Sequence, residues 1–444
     1  METLAAALAT RAGGPLRGRV KPPGDKSISH RALILGLLCN GESEIEGLLE
    51  GGDVLHTAAA CASLGAKIER RGEGRWLVRG CGIGSLLAPR APLDFGNSGT
   101  GMRLMMGVAG GHAIIATFDG DVSLRNRPMQ RILDPLCSMG AEFLSQSPGG
   151  RCPILLKGTS EPIPIEFSPP VASAQIKSAV LLAGLNSPGR TTVIEAEATR
   201  DHTEKMLKYF GASIETEPFA KGGQKITLEG RPDLRPARVS VPSDPSSVAF
   251  PLVAATIVPG SDIVIEGMMM NPLRTGLVTT LREMGAHIDI LDRRAEGGEE
   301  VVDLRVRAAV LKGVVVPAAR ASSMIDEYPV LAVAAAFALG ETWMRGLAEL
   351  RVKESDRLRA VADGLREAGI ASQIVDDDLI VEGRAGDVGG GGMVATHLDH
   401  RIAMSFLCLG LASRRPMAID DSRMIATSFP GFQTLMEELG ARFQ

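Results

Sequence analysis

SLGAKIE (residues 63–69), SMGAEFL (138–144), YFGASIE (209–215), EMGAHID (283–289), EAGIASQ (367–373) and ELGARFQ (438–444) are versions of one phrase. Each joins an apolar helix tail to glycine, then to Ala or Ile, then to an alternating segment. The glycines, Gly65, Gly140, Gly211, Gly285, Gly369 and Gly440, stand 75, 71, 74, 84 and 71 residues apart. A period this regular is the mark of one supersecondary unit used six times. Glycine suits the residue after a helix, where the backbone turns to positive φ. Alternation such as Ala66-Lys67-Ile68-Glu69 suits a half-buried strand. Gly-Ala after a helix is a common cap, but chance caps would not keep this interval.

Working outward, further strands precede the helices: ESEIEGL (42–48), RTTVIEA (190–196) and SDIVIEG (261–267). Short strands close many units at glycine, as in WLVRG (to Gly80), ILLKG (to Gly158) and ITLEG (to Gly230). Strands alternating with helices predict an α/β fold. A chain of 444 residues exceeds one ordinary core, so two domains are expected. Two Pro/Gly clusters, Lys21-Pro22-Pro23-Gly24 and Val241-Pro242-Ser243-Asp244-Pro245, read as hinges, with three repeats between them and three after. The expected domains are residues 21–244, and residues 1–20 folding back onto 245–444. A ligand cleft between them is the usual arrangement.

Composition narrows the function. The chain is 45% hydrophobic and 23% charged, ordinary for a soluble protein, with net charge −4. That balance, with only 4% aromatic residues, argues against nucleic-acid binding. Cys39, Cys61, Cys81, Cys137, Cys152 and Cys408 form no C-x-x-C pair, which reads as reduced and cytoplasmic. The N-terminus lacks a signal-peptide pattern. The longest apolar run, residues 330–339, falls far short of the ~20 needed to span a bilayer.

The candidate chemistry is anion binding. In PPGDKSISHRALILG (22–36), Lys26 and Ser27 stand at the start of an apolar helix, where free N–H groups and the dipole favour an anion. Arg31 follows one turn later; the spacing of a P-loop is absent. FGNSGTGMRLMMG (95–107) offers close backbone approach at Gly99, with Asn97, Ser98 and Thr100 as caps for a helix starting near Met102. SLRNRPMQR (123–131) brings three arginines, Arg127 among them, suited to carboxylate and phosphate. VASAQIKSAVLLAGL (171–185) begins a strongly apolar helix with Ser173, Ala174 and Gln175, polar groups that need partners. Arg200 in TRDHTEKML opens another helix. Asp326 and Glu327 precede the apolar run of SSMIDEYPVLAVAAAFALG. In LRVKESDRLRAVADGL (350–365), Lys353, Glu354 and Arg357 fall at i, i+1 and i+4, with Glu354 and Arg357 able to share a helix face. In HLDHRIAMSF (397–406), Asp399 reads as a cap with Arg401 beside it; His397 and His400 lack the partners of a metal site.

Taken in order, GDKSISHR, GNSGTGMR, RPM, SAQIKSA, DEYP, RVKESDR and DHRIAM resemble the 5-enolpyruvylshikimate-3-phosphate synthase family over nearly the whole chain. SAQIKSAVLLAGLN, RDHTEKML and DEYPVLAVAAAFA are similar to its bacterial class II group. The resemblance implies two domains of three βαβαββ-like units each, and transfer of the enolpyruvyl group of phosphoenolpyruvate to shikimate 3-phosphate on the route to chorismate and aromatic amino acids. It implies no metal and no organic cofactor, small-molecule partners only, no nucleic acid or membrane, a monomer, and sensitivity to glyphosate as an open matter. It places Lys26, Ser27, Arg31, Ser173, Ala174, Gln175, Arg200, Asp326 and Lys353 at shikimate 3-phosphate. It places Lys26, Gly99, Arg127, Gln175, Arg357 and Arg401 at phosphoenolpyruvate. Asp326 is the implied general base and Glu354 the acid–base group at the methylene carbon, with Lys26 also catalytic.

Substrates with roughly five to six negative charges require such a set of cations. Two departures stand out. The lysine that the family's other class carries near its T-F-P segment is absent from Ile425-Ala426-Thr427-Ser428-Phe429-Pro430, and Gly99 stands where glyphosate-tolerant class II enzymes commonly have alanine. Two alternatives remain. The related transferase acting on UDP-N-acetylglucosamine usually has a loop cysteine, absent from residues 119–134. A non-catalytic anion-binding scaffold would need neither Asp326 nor Glu354.

Overall fold

The computed structural model describes residues 7–11, 13–220 and 222–444. All six repeat glycines lie immediately after a helix at positive φ, between 75° and 116°. In each, the glycine N–H reaches the carbonyl three residues back, and the next N–H reaches the carbonyl five back, all at 2.9–3.1 Å. This is a Schellman closure, repeated six times. The residue after glycine is Ala or Ile because it tucks under the helix it has just closed: Ala66, Ala141, Ala212, Ala286, Ile370 and Ala441 are all buried.

Six four-stranded sheets follow from these repeats among the described residues. In one, Leu93–Asp94 runs parallel to Ile115–Asp119, which pairs antiparallel with Arg151–Lys157, which in turn pairs antiparallel with Glu142–Ser147. The sheets built on Arg190–Glu195 and on Glu341–Met344 repeat that order. In the other three, a strand distant in sequence completes the set. Arg238–Ser240 runs beside Asn40–Glu46, Arg17–Val20 beside Asp262–Met269, and Leu8–Arg11 sits between Met417–Ile419 and Arg442–Phe443. Such pairings are set by the pattern of both partners and cannot be read from either alone.

Two compact units result. One comprises Met1–Pro23, Pro242–Ala295 and Glu299–Gln444; the other comprises Gly24–Val241 with Glu296–Gly298. In the first, the helices Pro245–Ile257, Tyr328–Ala336 and His400–Gly410 are buried at every residue. Mostly apolar on every side beyond their first turns, they are core helices. In the second, the helices Lys26–Leu38, Gly99–Gly110 and Ala174–Gly184 are likewise buried, except at their starts: Lys26 and Ser27, Thr100 and Arg103, Ala174 and Gln175. The polar residues of the motifs are thus the solvent-facing tips of helices that are otherwise core.

The last two of these helices pack at small residues. A Cβ on Gly107 would lie 2.3 Å from the Ala179 carbonyl oxygen, and one on Gly111 would lie 2.6 Å from that of Ala183. Backbone cannot yield as a side chain can, so Gly107→Ala must drive the helices apart. The expected cost is about 1–3 kcal/mol, read as a fall in Tm.

Candidate active site

In the unit holding residues 24–241, the first helix begins at Lys26 with Asp25 as its cap, accepting from Ile28 N at 2.7 Å. Lys26 Nζ lies 3.1 Å from Asp53 Oδ2. Ser27 occupies the second helical position, and its carbonyl accepts from Arg31 Nη1 at 2.9 Å. Arg31 is almost wholly buried, and its other nitrogens donate to Thr203 Oγ1 (2.7 Å) and Ser178 Oγ (3.0 Å). It therefore locks three helices together as well as supplying charge. The neighbouring His30 is fully enclosed, with Nδ1 2.8 Å from Thr57 Oγ1. Burial depresses its pKa to about 3, so it stays neutral and is no candidate for proton transfer at neutral pH.

The second helix starts at Gly99, not near Met102, because Ser98 alone caps it, accepting from Gly101 N at 3.2 Å. Asn97 instead accepts from Arg127 Nη2 (2.5 Å). A Cβ on Gly99 would sit 3.1 Å from Arg127 Nη1 and 3.2 Å from Arg103 Nη1. Two guanidinium groups thus crowd one helix start. Arg103 was not singled out from the sequence; its signal was its place one turn after Gly99 on the same face. The third helix, capped by Ser173 (Ile176 N, 3.5 Å), places Ala174 and Gln175 in its first turn. Gln175 accepts from Arg103 Nη1 (2.5 Å) and donates to Thr100 Oγ1 (2.8 Å), so its amide joins the second and third helix starts. Arg200 is half-buried, just before the helix His202–Tyr209. Three helix N-termini with Lys26, Arg31, Arg103 and Arg127 place positive charge and helix-dipole ends in the chemistry that suits anions.

In the other unit, Asp326 lies in the 3-10 turn Ile325–Glu327 that leads into Tyr328–Ala336. Lys353 and Glu354 are not helical: the helix runs Arg357–Glu367, capped by Asp356, and Glu354 precedes it. The pairing read from the sequence survives by a different route. Arg357, 1% exposed, donates from Nε to Asp399 Oδ2 (2.8 Å), from Nη1 to Asp326 Oδ1 (3.0 Å) and from Nη2 to Glu354 Oε2. Lys353 Nζ stands 3.7 Å from Asp326 Oδ1. Burial opposes the guanidinium charge, but Asp399, Glu354 and Asp326 together raise its pKa above the ordinary arginine range. Burial also pushes the fully enclosed Asp399 carboxyl up, and Arg357 more than reverses this, holding it below the usual carboxylate range. Asp399 caps His400–Gly410 as expected (Arg401 N, 2.9 Å), and also accepts from Ser355 Oγ at 3.1 Å. Its role under Arg357 was not foreseen. Arg401 donates to the Asp326 carbonyl (3.1 Å) and lies 3.5 Å from Glu327 Oε1, itself held by Ser246 Oγ.

One guanidinium thus carries the carboxylates of Asp326 and Glu354, and cationic helix starts are gathered in the other unit. The profile of the family described as EPSP synthase (3-phosphoshikimate 1-carboxyvinyltransferase) matches residues 10–436. The chain belongs to the EPSP synthase family. It is 66% identical over 438 residues to the 3-phosphoshikimate 1-carboxyvinyltransferase of Methylobacterium sp. (strain 4-46), covering 98% of each chain. It is 62% identical over 436 residues to that of Rhodopseudomonas palustris (strain ATCC BAA-98 / CGA009), again 98% of each. The solved EPSP synthase of Acinetobacter baumannii superposes with a TM-score of 0.89 at 40% identity, covering 99% of each chain. The chain is an enzyme of this family, transferring the enolpyruvyl group of phosphoenolpyruvate to shikimate 3-phosphate with release of phosphate. The transferase acting on UDP-N-acetylglucosamine is not favoured.

Proposed function

We propose that the residues of the two units serve one substrate pair by addition and elimination. Lys26, Ser27, Arg31, Ser173, Ala174, Gln175, Arg200, Asp326 and Lys353 hold shikimate 3-phosphate. Lys26, Gly99, Arg127, Gln175, Arg357 and Arg401 hold phosphoenolpyruvate. The observation that carries this reading is Arg357, which binds Asp326 through one terminal nitrogen and Glu354 through the other. A general base and a carbon acid–base group are thereby fixed a guanidinium's width apart.

Asp326 takes the proton of the 5-hydroxyl as its oxygen bonds to the second carbon of phosphoenolpyruvate. Glu354 gives a proton to the methylene carbon, which becomes a methyl group. Glu354 then removes a methyl proton, the double bond re-forms, and the bond to phosphate breaks. The proton held by Asp326 leaves with the phosphate. Lys26 and the arginines balance the charge on both phosphates as it moves.

The protein acts as a monomer in the cytoplasm. Supporting that location, all six cysteines are free thiols, and no helix among the described residues is long and apolar enough to cross a membrane. Two domains, 1–20 with 245–444 and 21–244, hinge near 21–24 and 241–245; in support, Asp244 N donates to the Pro23 carbonyl at 3.0 Å where the two crossings meet.

The test is steady-state phosphate release. The wild type releases phosphate from phosphoenolpyruvate only when shikimate 3-phosphate is present. Lys26→Ala raises KM for both substrates by about ten-fold or more, a loss of about 1.4 kcal/mol or more in each. An effect on one substrate alone contradicts the shared placement. Gly99→Ala adds a methyl 3.1–3.2 Å from two guanidinium groups, which must give way. It is expected to raise both the glyphosate concentration for half-inhibition and the KM for phosphoenolpyruvate. Unchanged inhibition would show that the inhibitor does not use this space.

A further inference from the structure

Lys177 lies one turn into the apolar helix Ala174–Gly184 and has no exposed side-chain surface. Its Nζ is 2.9 Å from Glu195 Oε2, 2.7 Å from Glu204 Oε1 and 3.3 Å from the Thr199 carbonyl. Glu195, at the end of the strand Arg190–Glu195, also accepts from the hydroxyl of Thr199 and from its N–H (3.4 Å). Glu204 sits on the helix His202–Tyr209 beside Thr203, whose hydroxyl meets Arg31 Nε and Ser178 Oγ. The side chains of Glu195 and Glu204 are 2% and 6% exposed. One ammonium therefore ties together the helix that starts at Ser173, the strand end, the helix behind Arg31, and the residue immediately before Arg200.

Stability does not account for this arrangement. Burying one cation and two carboxylates carries a desolvation penalty of several kcal/mol per ion, and a well-packed apolar group is often as good or better. An apolar side chain would continue the pattern of Ile176, Ala179 and Val180, all buried on the same helix. Burial works against the Lys177 charge, yet Glu204 and Glu195 outweigh it and keep the ammonium protonated; burial also pushes the Glu204 carboxyl up, which Lys177 opposes without reversing. What the ion cluster supplies, and an apolar group cannot, is direction: three acceptors from three segments fixed around one point.

We propose that Lys177, with Glu195 and Glu204, is a positioning residue that sets Ser173, Gln175 and Arg200 as one rigid surface for the phosphate and hydroxyls of shikimate 3-phosphate. It touches no substrate and acts through the Thr199 carbonyl and the first turn of its own helix. The inference rests on the assignment of Ser173 and Arg200 to that substrate.

The test compares full-length Lys177→Met and Thr199→Val with the wild type. Tm is measured together with kcat and the KM of each substrate at saturation of the other. Lys177→Met removes the ammonium but keeps an unbranched chain of similar length. It is expected to raise KM for shikimate 3-phosphate by about ten-fold or more while KM for phosphoenolpyruvate and kcat change by less than about three-fold. Thr199→Val leaves the three charges in place, cuts the hydroxyl link to Glu195, and should shift the same KM in the same direction by a smaller factor. An unchanged KM for shikimate 3-phosphate in folded Lys177→Met overturns the proposal, as does a matching loss in all three constants. Should Lys177→Met fail to fold, Thr199→Val decides: an unchanged KM there overturns it. Arg200→Ala separates the two layers, since an unchanged KM in that variant refutes the site assignment itself, whatever Lys177 does.

Discussion

Replacing Glu354 with glutamine lowers kcat by roughly 10²–10⁴-fold, while KM for shikimate 3-phosphate stays near the wild-type value. The substitution keeps the shape and one hydrogen-bond acceptor for Arg357 Nη2, so the guanidinium keeps its place between Asp326 and Asp399. It removes the only group assigned to give a proton to the methylene carbon and take one back. Both half-reactions need that group, so addition and elimination should slow together. Steady-state kinetics with both substrates varied checks this; near-normal turnover would remove Glu354 from the mechanism.

Arg357→Met has the larger effect on the protein as a whole. The guanidinium is 1% exposed and pairs with three carboxylates, one of which, Asp399, has no exposed side-chain surface. Removing one member of a buried ion pair typically costs about 3–5 kcal/mol, because the partner charge is left without compensation. Tm should fall by several degrees and activity should vanish even below the new transition, since Asp326 and Glu354 lose their common anchor. In the wild type, the contribution of Asp399 is present above its unfolded value of 3.8 and is lost as pH falls, because Arg357 depresses its folded pKa. The variant should lack that contribution at neutral pH. Thermal melts from neutral pH down to below 3.8 measure the difference, and a variant as stable as the wild type at neutral pH would mean the cluster is not held as described.

Local backbone chemistry made the repeat legible. A glycine after a helix followed by Ala or Ile is a Schellman closure written in sequence, and all six positions form it. The partners of Leu8–Arg11, Arg17–Val20 and Arg238–Ser240 were not legible, since strands this short gain their register from residues hundreds of positions away. The helix start at Gly99 was missed by three residues: Ser98 was named among the caps, but the weak helix propensity of Gly99 and Gly101 hid the first turn. Glu354 and Arg357 were read onto one helix face, whereas Asp356 caps a helix that starts only at Arg357. Within the candidate site, motifs pointed to residues at helix starts, and residues that act through others carried no such mark. Arg103, Asp399 as the seat of Arg357, and Lys177 inside an apolar run show their role only when partners distant in sequence are brought alongside.

In the proposed addition and elimination, the methylene carbon of phosphoenolpyruvate passes through a methyl group, protonated and deprotonated by Glu354. Running the reaction in D2O and weighing the enolpyruvyl product by mass spectrometry tests it most directly. Deuterium is expected in the product's methylene group for the wild type, dependent on shikimate 3-phosphate, and in Glu354→Gln it should appear as slowly as phosphate is released. Phosphate release with a methylene group free of deuterium in the wild type would contradict it.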